Sequence, residues 1–260
     1  MSKERLDKLM VTRHLAETRQ KAQALIMAGH VLVNGERVDK PGKLVARGSI
    51  IEVRPAGPSY VGRGALKLEG ALSAFNLNVQ RMVCLDVGAS TGGFTECLLQ
   101  HGAACVVALD VGRGQLHWKL RSDPRVIVRE GVNARYLKPS DFDRLFDLIT
   151  VDVSFISLTK VLPALVPLLA DSGQILALVK PQFEVGKGEV GKGGVVRDPV
   201  QHSQVVAHIR LFAEQTLRLH VKGVVPSPIQ GAEGNTEFFL LLAKHAETAC
   251  HEVGPVAHRF

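Results

Sequence analysis

From residue 83 onward the chain alternates short apolar runs with segments of helical composition, and that alternation limits the fold more than any other feature. The runs cover residues 83–87, 105–110, 126–129, 148–153, 174–180, 221–225 and 237–242. Strands separated by helices predict an α/β fold with a doubly wound parallel sheet, because a parallel pair needs a crossover long enough to hold a helix. The longest uncharged apolar stretch, residues 161–170, contains two prolines and falls well short of the roughly 20 residues of a membrane helix, so no span is expected.

The first run leads into Asp86-Val-Gly88-Ala-Ser90-Thr-Gly92-Gly93-Phe94. Glycines in such a turn let a cofactor approach the backbone at the carboxyl edge of a sheet. A dinucleotide loop has GxGxxG spacing, and here its middle position is Ser90, which disfavours a pyrophosphate and hence NAD. An acid ahead of the loop, GxxxGG spacing and Asp110 closing the second strand 22 residues after Gly88 match the pattern used for S-adenosylmethionine. Asp110 is expected to accept hydrogen bonds from the two ribose hydroxyls, and Asp86 to face the amino-acid part. The competing reading is that these glycines serve only tight helix–strand packing.

Charge is concentrated at the other end of the chain. Residues 1–56 hold eleven Lys or Arg and six acids, a net of +5 out of +7 for the whole protein. That imbalance predicts a polyanion-binding appendage on a nearly neutral body. Leu6, Leu9, Met10 and Leu15 recur near helical spacing; Ala22, Leu25 and Ile26 follow Thr18, a candidate N-cap, and stop at Gly29. Residues 31–38 form two alternating runs joined by Asn34-Gly35, the signature of a type I′ hairpin, and residues 49–53 supply one more strand. This predicts a small N-terminal α+β domain over residues 1–56, whose Arg5, Arg13, Arg19 and Lys21 lie at helix ends. Residues 57–62 read as a Pro/Gly-rich linker, 63–244 as the sheet-bearing domain, and 245–260 as a polar tail.

The segments Arg5-Leu-Asp-Lys-Leu, Arg19-Gln-Lys-Ala and Ile26-Met-Ala-Gly-His-Val-Leu-Val-Asn-Gly closely resemble the RNA-binding domain named after ribosomal protein S-four. That resemblance implies that Arg5, Arg13, Arg19 and Lys21 dock on phosphates of structured RNA, by charge and shape more than by base identity. In the larger domain Lys67 precedes the first strand, Asp152 ends the fourth, Lys180 ends the fifth and Glu237 begins the last. The set resembles the lysine, aspartate, lysine, glutamate tetrad of FtsJ-type ribose 2′-O-methyltransferases, which have a Rossmann-like methyltransferase sheet. With DVSFISL at 152–158 and KPQFEVGKGEVGKGGVVRDP at 180–199, the chain resembles the TlyA family. Its members, often labelled hemolysins, are ribosomal RNA (cytidine-2′-O)-methyltransferases. The resemblance implies S-adenosylmethionine as cofactor, held by Asp86, Gly88, Ser90, Gly92, Gly93, Phe94, Asp110, Asn133 and Asp152, and ribosomal RNA or ribosomal subunits as partner.

The residue types fit that chemistry. A ribose hydroxyl is a poor nucleophile until it loses its proton in a site that aligns oxygen, methyl and sulfur. Lys180 is the candidate for that step, as a base if its neighbours lower its proton affinity, or as a charged stabiliser of the alkoxide if Asp152 and Glu237 keep it protonated. The glycines of residues 186–194, with Lys187 and Lys192 among them, read as a mobile basic lid or as a plain surface loop. Trp118 is expected to pack a helix on the sheet. Four cysteines without CxxC spacing and scattered histidines argue against zinc and disulfides; His245, Cys250 and His251 are the nearest approach to a ligand cluster. No secretory signal is visible behind Lys3 and Glu4, so a cytoplasmic monomer or weak oligomer without membrane contact is expected. Two other functions stay open: a non-catalytic RNA-binding or ribosome-assembly factor, and a membrane-lytic hemolysin. A pseudouridine synthase with an S-four-like domain would have no use for the Gly-rich loop.

Overall fold

The computed structural model describes residues 3–27, 29–53, 60–186, 190–191, 193–231 and 234–244. Its contacts divide into two compact units, Met1–Ser59 and Tyr60–Phe260.

The first unit runs β1 (Lys3–Arg5), α1 (Leu6–Thr12), α2 (Arg19–Met27), β2 (Val31–Val33), β3 (Glu36–Arg37), β4 (Leu44–Ala46) and β5 (Ile51–Val53). Asn34 and Gly35 both have positive φ, +51° and +83°, as a type I′ turn requires. Thr18 Oγ1 accepts from Lys21 N at 3.2 Å to cap α2, and Gly29 at φ +75° stops it. Leu6, Met10, Ala22, Ile26 and Val31 are fully buried and form the core. Strand β1 pairs with β4 in its own two-stranded sheet; three polar residues carry no alternation that would announce it.

The second unit runs α3 (Gly64–Ala74), β6 (Val83–Val87), α4 (Gly93–Gln100), β7 (Cys105–Asp110), α5 (Trp118–Arg121), β8 (Val126–Glu130), β9 (Phe146–Val151), α6 (Leu162–Leu165), β10 (Leu169–Val179), α7 (Pro181–Glu184), α8 (Pro199–Leu211), β11 (Leu219–Pro226) and β12 (Phe238–Lys244). The strands form one sheet in the order β11-β12-β10-β9-β6-β7-β8. Alternate residues serve opposite faces. Leu85, Val107, Ile149, Ile175 and Leu240 pack toward α6 and α8, through Leu162, Leu165, Val205 and Ile209. Cys84, Val106, Leu148, Leu176 and Phe239 pack toward α3 and α4, through Leu68, Leu72 and Leu98. With both faces covered, near-continuous apolar strands are what burial demands.

The chain winds outward from β6 through β7 to β8, then returns to the other side of β6 for β9 and β10. The carboxyl ends of β6 and β9 therefore flank the switch point where doubly wound sheets bind ligands. One strand departs from the all-parallel expectation: β12 lies antiparallel between β10 and β11. A mixed edge of this kind is common in doubly wound folds. Among the described residues no helix is long and apolar enough to cross a membrane.

Candidate active site

The turn after β6 is dictated by close approach. Gly88 has φ +87°, and a Cβ there would lie 2.3 Å from the carbonyl oxygen of Asp152. Only glycine satisfies both the left-handed backbone and that contact. Asp152 N donates to Val87 O at 2.9 Å, locking the ends of β6 and β9 together. Gly92, at φ +100°, begins α4 where any Cβ would strike Leu120 and Leu116. Gly93 faces the start of α3 and Phe94 is buried beneath the turn.

Two adjoining cavities open over this turn and share Gly88, Ser90 and Asp152. One, of about 280 Å³, is bounded also by Lys67, Gly93, Phe94 and Gly231. The other, of about 470 Å³, is walled by Asp110, Val111, Gln115, Asn133, Ser154 and Phe155. Asp110 is aimed by two backbone amides: Ser90 N donates to its Oδ2 at 2.8 Å and Gly112 N to its Oδ1 at 2.7 Å. Each carboxylate oxygen retains a lone pair for a further donor. Asn133 accepts from Arg135 N at 3.1 Å and caps the short turn behind it.

Asp86 sits elsewhere. It is fully buried and lines neither cavity; Thr95 Oγ1 donates to it at 2.7 Å and Thr150 Oγ1 at 3.0 Å, so it braces the turn from below. Burial raises its carboxyl to about 7, against an ordinary value of about 4. The folded state thus holds this proton more tightly than the unfolded chain. The resulting stability is fully present below about pH 4 and lost as pH rises through 7. Asp86→Asn is expected to flatten the fall in melting temperature between those limits; a variant with the wild-type slope would show that another group carries it.

Two of the four tetrad positions, Lys67 and Asp152, line the smaller cavity, and each contacts one of the other two. Lys67, on α3, donates to Glu237 Oε2 at 2.6 Å, and both side chains are largely buried. Lys180 Nζ lies 2.6 Å from Asp152 Oδ1, donates to Ser154 Oγ at 3.0 Å and stands 5.9 Å from the centroid of the Phe183 ring. Asp152 Oδ1 is buried and receives no aligned hydrogen bond, so charge alone holds it to the lysine. The reversed direction of β12 is what makes the set possible. In a parallel strand the residue before Phe238 would lie at the amino edge of the sheet; antiparallel, it comes to the carboxyl edge, beside Gly231 of the cavity wall.

Gln115, Ser154 and Phe155 were not singled out by sequence reasoning. Phe155 has φ +62°, is 90% exposed and packs its ring 5.0 Å from that of Phe183. A bulky residue in the left-handed region is costly, and the family-like segment 152–158 was its only sequence signal. Trp118 corrects an expectation: it is 68% exposed, not packed on the sheet. Lys187 and Lys192 of the glycine-rich segment lie outside the described residues, as do His245, Cys250 and His251. The far end of that segment is held by buried Asn235, which accepts from Val196 N and donates to Gly194 O, both at 3.0 Å. No metal-ligating cluster of three residues occurs among the described residues.

In the first unit the candidate RNA-binding cations are all engaged. Arg5 makes a bidentate contact with buried Asp7 at 3.0 and 2.9 Å, and Arg19 Nε reaches the same carboxylate at 2.9 Å. Asp7 is held well below the usual carboxylate range, chiefly by the Arg5 hydrogen bonds. The outer edges of both guanidinium groups stay half exposed. Lys21 pairs with Glu17, whereas Arg13 caps the carbonyls of Ser49 and Arg47 and is a packing residue as much as a surface cation.

Comparison with known proteins agrees with this architecture. The FtsJ-like methyltransferase model matches residues 60–244, and the S4 domain model residues 4–51. The chain is 49% identical over 251 residues to the 16S/23S rRNA (cytidine-2′-O)-methyltransferase TlyA of Mycobacterium tuberculosis, covering 96% of this chain and 93% of that one. It is 41% identical to Hemolysin A of Brachyspira hyodysenteriae, covering 90% and 97% of the two. A solved structure from Streptococcus thermophilus superposes with a TM-score of 0.71 at 48% identity, over 94% of this chain and 89% of that one. A glycine turn at the switch point, a tetrad gathered by one reversed strand and an amino-terminal S4 domain thus occur together in one chain, which belongs to the TlyA family of FtsJ-like methyltransferases.

Proposed function

We propose that the protein transfers a methyl group from S-adenosylmethionine to the 2′-hydroxyl of a cytidine in ribosomal RNA, in the cytoplasm. The observation that carries this reading is the pair of lysine–carboxylate contacts, Lys67–Glu237 and Lys180–Asp152, each of which places one member, Lys67 or Asp152, on the wall of the cavity above the glycine turn. The cofactor fits the chain on this structure's own terms. At Gly88 the backbone leaves a cradle that any Cβ would fill, and Asp110 is already oriented by two amides toward the larger cavity. When bound, the cofactor supplies an electrophilic methyl on a sulfonium.

The remaining work belongs to the chain. Asp110 accepts from ribose hydroxyls; Gly88, Ser90, Gly92, Gly93 and Phe94 form the floor, and Asn133 and Asp152 the sides. Lys180, in contact with the Asp152 carboxylate and the Ser154 hydroxyl, is read as an ammonium that stabilises the developing 2′-alkoxide while the proton leaves to water. Lys67, fixed by Glu237, orients the nucleotide. Exposed Phe155 offers a stacking face at the cavity mouth. The S4 unit, with Arg5, Arg19 and Lys21 at its surface, anchors RNA through phosphates.

Mass mapping of 2′-O-methylated ribose in ribosomal RNA, from cells with and without the protein, tests the reaction directly. A missing methylation in the depleted cells is expected; identical maps would sink the proposal and favour a non-catalytic RNA-binding factor. Asp110→Ala is expected to weaken S-adenosylmethionine binding by about 1 to 3 kcal/mol, the scale of lost hydrogen bonds to a charged acceptor. Unchanged affinity by calorimetry in a folded variant would remove Asp110 from the cofactor site.

A further inference from the structure

One wall of the larger cavity is a loop, residues 111–117, between β7 and α5, and Val111 and Gln115 line the cavity from it. It contains Gly112 and Gly114, the latter at φ +71°, so little in its own sequence fixes its shape. Glu130, the last residue of β8, fixes it from outside. Its Oε2 accepts from Gly114 N at 2.9 Å, and its Oε1 from Gln115 N at 3.2 Å and Leu116 N at 3.4 Å. Three consecutive amides converging on one carboxylate form an anion nest occupied by the protein's own side chain. Arg121 pairs with the same carboxylate and donates Nε to Leu116 O at 3.0 Å, closing the clamp from the α5 side. Arg121 and these amides hold the Glu130 carboxyl down to about 2, so it is ionised at neutral pH.

The loop also bridges the two ends of the cofactor cradle. At its start, Gly112 N donates to Asp110 and Gly112 O accepts from Gly131 N at 3.0 Å. At its end, Leu116 packs where a Cβ on Gly92 would fall, and His117 N donates to Thr91 O at 3.1 Å. A shift of residues 114–116 therefore moves Gln115, the anchorage of Asp110 and the glycine turn together.

We infer that Glu130 is a positioning residue for the cofactor: it pre-orders the 111–117 loop so that Asp110 and Gln115 meet the adenosine half without a further ordering cost on binding. This rests on the S-adenosylmethionine reading given above. Preorganisation of this kind raises affinity without adding a contact to the ligand. Its action is expected chiefly at the adenosine end, because residues of the loop line the larger cavity and not the smaller one, and Glu130 lines neither.

The test is calorimetric titration of the full chain with S-adenosylhomocysteine and, separately, with adenosine. In Glu130→Gln, which keeps the shape but loses the charge, both dissociation constants are expected to rise by the same factor, about tenfold. Methyl transfer should show the loss in the KM for S-adenosylmethionine, with kcat at saturation within about twofold of wild type. Glu130→Asp, which keeps the charge but retracts it by one methylene, should behave alike, separating position from net charge. Both affinities within twofold of wild type in a folded variant overturn the inference, and so does a loss seen with S-adenosylhomocysteine but not with adenosine. Hydrogen exchange on the wild type guards against variants that fail to fold. The amides of residues 114–116 should be protected before any ligand is added, and free exchange there would mean that no clamp is preformed. A wild-type protein that binds no S-adenosylhomocysteine would bring down the cofactor reading and this inference with it, whereas unaffected variants overturn the clamp alone.

Discussion

Lys180→Ala is expected to slow methyl transfer by roughly 10² to 10⁴-fold, the usual contribution of a positioned acid, base or electrostatic stabiliser, while S-adenosylmethionine affinity stays near that of the wild type. The lysine follows β10 and meets the cavity through Asp152, and no other amine lies on that strand end. Its removal leaves the buried Asp152 oxygen without a counter-charge, a cost to stability of its own. The double variant Lys180→Met with Asp152→Asn removes both charges and measures the folding cost alone, since Asp152 also borders the cofactor cradle. Lys180→Arg should also be poor, since a planar guanidinium does not reproduce the ammonium position. Near-normal single-turnover transfer by folded Lys180→Ala would move the assignment to Lys67. A wild-type rate that climbs with pH would favour a neutral lysine base over the charged stabiliser, with hydroxyl ionisation as the control to subtract.

Removal of residues 1–59 is expected to lower affinity for ribosomal RNA by roughly two orders of magnitude or more near physiological salt, because five of the seven net positive charges leave with them. The remaining unit is compact, so its S-adenosylmethionine affinity should survive. Arg19→Ala should flatten the salt dependence of RNA binding by somewhat under one unit. It also frees one side of Asp7, so Arg5→Ala is the companion measurement. A truncated protein that binds and methylates RNA like the intact one would remove the S4 unit from substrate anchoring.

The sheet was legible because apolar runs bounded by glycine turns leave few alternatives, and the type I′ hairpin because Asn34-Gly35 demands two left-handed residues. Strand direction was not legible. Hydrophobic content is the same for either direction, and β12 is antiparallel through its pairing with β10 and β11, which is settled by contacts far away in sequence. The place of Asp110 at the end of β7, on the wall of the larger cavity, was legible from the strand pattern. The place of Asp86 could not, because the same residue beside a glycine turn can face a ligand or turn inward to Thr95 and Thr150. Phe155 and Trp118 were hidden for a related reason: an aromatic residue signals burial by default, and only the backbone around it shows which ones are left in water.

The reversed direction of β12 ties one ion pair to the closure of the sheet. Lys67 and Glu237 are separated by 170 residues of chain, and Glu237 reaches its partner only after β12 has inserted between β10 and β11. The glycine turn and the Lys180–Asp152 contact draw only on residues 86–180, whereas the second pair needs β12 as well. Long-range closure of this kind forms late, since loop-closure entropy must be overcome before the contact stabilises anything. The Lys67–Glu237 pair is thereby conditional on the closed sheet: it stands only while β12 is seated between β10 and β11, so loosening that edge would undo an ion pair anchored on a helix far away in sequence.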